Sequence, residues 1–487
     1  MAERTYDVVV IGGGSTGENV AQRAARGGCH VAVVESELVG GDCSYWACMP
    51  SKALLRPAQA LADVRAVAGA AAAVTGQLDV AAVLDRRDTT VHHWDDASQV
   101  DWLAKENIDL VRGHARLDGD RRVVVEAPEN GESTVLEASS AVAICTGSRA
   151  SIPPVPGLAD ARPWTSRDAT SAREVPARLA ILGGGVVACE MATAYAQLGA
   201  QVTVMERSAR VLGGVPEFAA EAVTASLRAM GVEVATETEL ERVVRRPDGS
   251  VELAIGGTTR VTDEILVAAG RAPRTDDLRL ETVGLEPGRW LDVDEHLQVT
   301  GIDGGWLYAA GDVNHRALLT HMGKYQARVC GDVIAARAQR AGGVDAVGEA
   351  VDGGVDDAPW SRWNATADAA AVPQVIFTIP EVAAVGLNEG QARERGLDVR
   401  TATYDIGNVA GASLYADDYA GRAELVVDVG RRVVVGMTLV GPGLAELLHA
   451  ATIAVVAEVP LERLWHAVPS YPTVSEVWLR LLEDLGL

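Results

Sequence analysis

Two cysteines, Cys43 and Cys48, lie five positions apart in the stretch GGDCSYWACMPSK, residues 40–52, with Pro50 and Lys52 just beyond them. A close thiol pair packs as small hydrophobes, binds a metal, or cycles between dithiol and disulfide. An ideal helix sets Cα atoms five residues apart roughly 8–9 Å from one another, beyond the roughly 7 Å a disulfide tolerates. A bond between Cys43 and Cys48 therefore needs a loop or a distorted first helical turn, and Gly40, Gly41 and Pro50 favour one. Zinc needs about four ligands. The stretch offers two thiols and Asp42 without a nearby histidine, so no metal site is expected. Cys29, Cys145, Cys189 and Cys330 have apolar or glycine-rich neighbours and read as buried hydrophobes.

The elements around this pair carry a second signal. In TYDVVVIGGGSTGENVAQRAARGGCHVAVVES a β-branched run ends at Gly12, Gly14 and Gly17 complete G-x-G-x-x-G, an Ala-rich helix follows, and a second strand closes on Glu35. The glycines suit a tight turn, close approach to a pyrophosphate, and helix packing on a strand. The helix N-terminus offers free N–H groups to phosphate, and Glu35 can accept from a ribose hydroxyl. The pattern recurs at ARLAILGGGVVACEMATAYAQLGAQVTVMER, with Gly183, Gly185 and Ala188 opening the helix and Glu206 ending the next strand. Two dinucleotides in one chain imply electron transfer between them, a flavin in one fold and a nicotinamide in the other. Glu206 favours NADH by bonding a 2′-hydroxyl and repelling a 2′-phosphate. The adjacent Arg207 leaves NADPH open.

Strands also run into Gly147, in SSAVAICTGSRA, and into Gly270, in DEILVAAGRAPR; Asp312 ends another in GGWLYAAGDV. The expected fold class is α/β: two Rossmann-like dinucleotide-binding domains plus a C-terminal α+β dimerisation domain. Residues 1–150 and 276–340 are expected to form one dinucleotide-binding domain, 151–275 the other, 341–371 a linker or insertion, and 372–487 the C-terminal domain. The formal net charge of −24 argues against nucleic acid as a partner. The apolar runs are strand-length, so no membrane association is expected. The N-terminus enters a strand without signal-peptide zones, which reads as a cytoplasmic protein.

Taken in order, G-x-G-x-x-G, GG-x-C-x4-C-x-P-S-K, CTG, the second G-x-G-x-x-A-x-E, AAGRAPR, AAGD and VIFTIPEVAAVG resemble the class I pyridine nucleotide-disulfide oxidoreductases, the family of glutathione reductase, dihydrolipoyl dehydrogenase and mercuric reductase. The resemblance implies FAD in the first fold, with Glu35 on the adenosine ribose, Asp312 near the ribityl chain, and Ala115, Thr146, Gly147 and Thr320 also lining the cofactor. It implies NAD(P)H in the second, near Val186, with Gly270 at its edge. Cys48 becomes the thiol against the flavin and Cys43 the outer, interchange thiol. Lys52 stands near the flavin's reactive nitrogen, paired with Glu190, and the chain forms a homodimer serving a small-molecule electron acceptor.

Three departures stand out. Disulfide-reducing members carry an acid/base histidine before Pro-Thr, with a glutamate five residues on. Here SYPTVSE keeps Glu476 but has Tyr471 in the histidine's place, and a phenol of pKa about 10 is a poor base near neutral pH. His466 is the remaining late histidine after His449 and an alternative base. Asp42 replaces a more usual hydroxyl residue, and its charge disfavours a thiolate at Cys43. Tyr45 and Trp46 are bulkier than expected, and read either as packing against the dimer partner or as shaping a substrate pocket. Mercuric reductase shares the tyrosine, but its C-terminal cysteine pair is missing here, since no cysteine follows Cys330. The leading expectation is a disulfide-type acceptor. The alternatives are a quinone, oxygen or soft-metal acceptor, or a low-turnover flavin-binding sensor or subunit.

Overall fold

The computed structural model describes residues 2–128, 131–343 and 354–487. The chain forms two compact units from interleaved stretches: Met1–Met49, Asp88–Arg149 and Arg271–Ala369 in the first, and Pro50–Arg87, Ala150–Gly270 and Ala370–Leu487 in the second.

The first unit is built on a seven-stranded sheet. Its order is Ile108–Arg112, Val31–Glu35, Ala2–Ile11, Ser133–Ile144, Arg122–Glu126 and His114–Leu117, with Leu307–Ala309 also pairing on Ser133–Ile144. The strand Ala2–Ile11 lies between two parallel neighbours, Val10 facing Val33 and Ala143. Val8, Val9 and Val10 are fully buried. That explains their unbroken apolar run, because a parallel strand covered on both faces has no polar side. Each such valine contributes roughly 1.5–3 kcal/mol by leaving water.

Helix α1, Ser15–Arg26, follows the glycine turn and buries Val20, Ala21 and Ala24. It lies along the long C-terminal helix of this unit, Thr320–Arg340, so closely that a side chain on Gly323 would strike Thr16. Arg23 donates twice to Asp332 across the same seam, at 2.6 Å each.

The second unit contains a parallel sheet in the order Glu233–Ala235, Gln201–Met205, Arg178–Leu182 and Glu264–Val267. It also holds an antiparallel five-stranded sheet, Pro373–Ile376, Glu381–Gly386, Val433–Gly441, Arg422–Asp428 and Val399–Asp405. Residues from both regions share one apolar cluster, where Ile181, Val204 and Ala188 join Ile376, Val382 and Val440. The segments 151–275 and 372–487, separate in the sequence reading, therefore pack as one body through that cluster.

The 341–371 segment is not only a linker. Residues 344–353 lie outside the described residues, but Trp363 and Ala365 are buried in the core of the first unit. The Trp363 carbonyl is 2.9 Å from His296 Nδ1. An Ala- and Gly-rich composition hid one tryptophan large enough to anchor the stretch.

Candidate active site

At the first glycine turn, Gly12 has φ 102°, and a side chain there would meet the Cys145 carbonyl oxygen at 2.6 Å. A Cβ on Gly17 would collide with the Gly12 carbonyl, so this turn and the start of α1 fit together only without side chains. No side chain caps α1 at Gly14, where a side chain would meet the Gly41 Cα at an ordinary contact distance of 3.8 Å. Uncapped N–H groups at a helix start suit a phosphate. Glu35 ends its strand buried, its Oε2 accepting from Gly13 N and its Oε1 from Glu37 N, both at 2.7 Å. Burial pushes its carboxyl up, and the backbone donors oppose that shift.

The second turn repeats these features. Gly183 has φ 112° and abuts the Ala268 carbonyl. The following helix, Val186–Gln197, starts at Gly185 without a side-chain cap and buries Ala188. Glu206 lies just past its strand, its Oε1 accepting from Ser208 N at 2.7 Å, and Arg207 is exposed. Gly270 has φ 139° and accepts Ser151 N at 3.0 Å.

The cysteines occupy a broken helix. Helix α2, Gly41–Tyr45, carries Cys43 and ends at Trp46, with φ −137° and ψ 3°; helix α3, Cys48–Arg65, begins at the second cysteine. This break is the distorted turn that a five-residue spacing demands. Neither thiol is in a disulfide, and Cys48 Sγ lies 3.2 Å from Thr320 Oγ1 at the start of the long helix. A hydrogen bond with Cys48, followed by burial, drives the Cys43 thiol well up, while Thr320 and Lys324 pull it down. The other four cysteines are buried, and burial pushes Cys29, Cys145 and Cys189 to about 12. Among the described residues no group of three or more His, Cys, Asp or Glu side chains is set to hold a metal.

Tyr45 corrects the sequence reading. It is fully buried inside its own subunit, its hydroxyl donating to the Asp95 carbonyl at 3.4 Å and its carbonyl accepting from Trp94 Nε1 at 3.2 Å. Its bulk fills the core beneath α2, so it neither reaches for a partner nor lines a pocket. Trp46 packs beside it at 5.7 Å between centroids.

In the second unit Lys52 Nζ meets Glu190 Oε2 at 2.7 Å. Glu476 is buried, and its Oε2 finds no hydrogen-bond partner among the described residues. Tyr471 is 75 % exposed, and His466 and His449 are exposed as well.

Around Asp312 the structure brings together residues that sequence reasoning passed over. Ser148 Oγ donates to Asp312 Oδ2 at 2.5 Å and accepts from Arg271 Nε at 2.6 Å. Arg271 and Arg274 both reach Asp42. Thr146 Oγ1 donates to the Arg274 carbonyl, Gly147 O accepts Arg274 N, and Ala115 is buried in the neighbouring sheet. The signal was two arginines in GRAPR, in a chain with an unexpected aspartate beside its first cysteine.

A family model described as pyridine nucleotide-disulphide oxidoreductase matches residues 6–339 of this chain, and that family's dimerisation domain matches residues 372–481. The chain belongs to the pyridine nucleotide-disulphide oxidoreductases. Within the family it is 32% identical to dihydrolipoyl dehydrogenase 3 of Pseudomonas aeruginosa, over 99% of this chain and 98% of that one. It is 30% identical to mercuric reductase of Staphylococcus aureus, over 97% of this chain and 81% of that one. A Cu(II) complex of the HOCl-induced flavoprotein disulfide reductase RclA from Escherichia coli superimposes with a TM-score of 0.81 at 25% identity, covering 99% of each chain.

As a family member the protein is an FAD- and NAD(P)H-dependent oxidoreductase. The residues present fit both cofactors: each glycine turn excludes side chains, each following helix starts uncapped, and each second strand delivers a carboxylate. No helix among the described residues is long and apolar enough to cross a membrane.

Proposed function

We propose that the protein passes two electrons from NADH to the Cys43–Cys48 pair and on to a disulfide-type acceptor. The observation that carries this reading is the hydrogen-bonded thiol pair in the break between α2 and α3. Bound at the first glycine turn, FAD supplies the relay between nicotinamide and disulfide. Gly12, Gly14, Gly17 and Glu35 hold its adenosine diphosphate end, and Ala115, Thr146, Gly147, Asp312 and Thr320 line the rest. Gly183, Gly185, Ala188, Glu206, Arg207 and Gly270 serve the nicotinamide cofactor, with NADH preferred over NADPH.

The chemistry balances as NAD(P)H, one proton and the disulfide giving NAD(P)⁺ and two thiols. Cys43 then attacks the acceptor disulfide, Cys48 displaces the mixed disulfide, and two acceptor thiols leave. Lys52, held by Glu190, places a positive charge one helical turn past Cys48. The dimerisation domain and the exposed apolar side chains Leu414, Ile453 and Val468 support a homodimer. Dependence on reduced nicotinamide supports a cytoplasmic setting.

Tyr471 favours a second reading, in which a soft metal ion, quinone or oxygen takes the electrons, because none of these needs the missing histidine. Steady-state assays of a Cys43→Ser variant separate the readings. Loss of NADH oxidation with small disulfides is expected. Full retention with a disulfide acceptor would refute the proposal, and retention confined to quinones would move the second reading ahead.

A further inference from the structure

Asp42 precedes Cys43 in the first turn of α2. Alone, its charge would hold a proton on the thiol. It is not alone: Arg271 Nη2 lies 3.7 Å from Asp42 Oδ2, and Arg274 Nη2 lies 3.8 Å from Oδ1. All three side chains are about one-third exposed or less, at 29%, 27% and 35%.

Both guanidinium groups are anchored from behind. Arg271 donates from Nε to Ser148 Oγ at 2.6 Å and from Nη2 to the Ser148 carbonyl at 2.9 Å, and its Nε is 3.6 Å from Asp312 Oδ2. Arg274 donates from Nε to the same carbonyl at 3.3 Å, and its backbone is pinned by Gly147 and Thr146. The arginines thus form a fixed positive wall and Asp42 docks the cysteine-bearing turn onto it.

We propose that Asp42, Arg271 and Arg274 form a charge-balanced latch that positions the Cys43 turn and sets how readily Cys43 releases its proton. The latch rests on the reading of Cys43 as a reacting thiol. Asp42 is then a positioning residue whose carboxylate is tolerated beside a nucleophile because two cations face it. The other groups acting on Cys43 are Cys48 from α3, and Thr320 and Lys324 from the long helix, with Lys324 favouring the thiolate. Arg271 also ties the turn to the Ser148–Asp312 pair, so its removal would disturb two sites; Arg274 is the cleaner probe.

The test uses FAD-loaded enzyme reduced with a phosphine, with iodoacetamide alkylation of Cys43 followed by mass spectrometry across pH. Arg274→Met leaves Asp42 underbalanced. The midpoint of the alkylation profile is expected to rise by about half to one pH unit, slowing alkylation roughly three- to tenfold below it. Asp42→Asn is expected to shift the midpoint downward by a similar amount. The double variant returns to within about twofold of the parent, and Arg274→Lys, which keeps the charge, stays near it. Unchanged profiles in both single variants, or a double variant that stays as far from the parent as either single variant, would overturn the latch. Should Arg274→Met lose its flavin, Asp42→Asn decides alone: no acceleration refutes the proposal. Because the reductant is chemical, the outcome is separate from whether NADH reduces the pair. A wild-type enzyme whose Cys43 titrates but is never reduced by NADH would fail the functional reading and leave the latch standing.

Discussion

Lys52 Nζ is 2.7 Å from one oxygen of Glu190, and the other oxygen accepts the Phe377 N–H at 3.0 Å. The Glu190 side chain is 5% exposed against 35% for Lys52, whose ammonium also stands 4.9 Å from the Phe377 ring centroid. One carboxylate therefore restrains the lysine and satisfies a backbone donor. Glu190→Ala removes both interactions and is expected to cost roughly 1–3 kcal/mol in urea unfolding. Glu190→Gln, which can still accept from Phe377 N, is expected to cost less. Equal losses would mean that the charge adds nothing.

Tyr471 is exposed, at the position where the sequence reading expects the acid/base histidine of a disulfide reductase. Tyr471→His is expected to raise turnover with a small disulfide about tenfold or more near pH 7. A new limb should appear in the pH–rate profile near the histidine pKa of about 6.5. A flat profile with unchanged turnover would show that proton transfer at this position does not limit the reaction.

At the second glycine turn, Glu206 Oε2 is 2.9 Å from where a side chain on Gly184 would begin, so the carboxylate crowds the ribose end of the turn. The ratio of kcat/KM for NADH over NADPH is expected to exceed about ten, from one unfavourable charge contact worth about 1.4 kcal/mol or more. Glu206→Ser should narrow or invert that ratio. A wild-type enzyme that prefers NADPH would show that Arg207 dominates.

Burial pushes the Glu18 carboxyl, in the first turn of α1, up to about 7, with Glu35 adding to the shift and Lys324 opposing it. Because the folded pKa lies above the unfolded value of about 4.3, the folded state holds this proton more tightly. The associated stability is complete below about pH 4 and is lost as pH rises through about 7. Glu18→Gln is expected to raise the melting temperature by roughly 1–3 °C at pH 8 and to leave it unchanged at pH 4. The opposite pattern would place Glu18 in a stabilising ion pair.

The parts of this fold legible in the sequence depend on local rules. Gly12, Gly14 and Gly17 can be read because a turn under a helix start tolerates no side chain, and Val8–Val10 because a doubly covered strand is apolar throughout. The Lys52–Glu190 pair lies 138 residues apart in sequence and came from family resemblance, since nothing local joins them. The balance of Asp42 by Arg271 and Arg274 was not legible. A charge's effect on a neighbouring thiol depends on which distant side chains face it, and those arginines arrive from a short strand and the residue just past it, more than two hundred residues later. Tyr45 was misplaced for a related reason: a bulky aromatic suits a pocket or a core equally, and only the packing under α2 assigns it to the core.

Cys43 and Cys48 are expected to take up electrons from the nicotinamide, which an anaerobic titration of purified FAD-loaded enzyme with NADH, followed by visible absorbance, would reveal. Two electrons per subunit should produce a long-wavelength thiolate-to-flavin band that Cys48→Ser abolishes. Simple bleaching of the flavin with no such band, identical in wild type and Cys48→Ser, would contradict it.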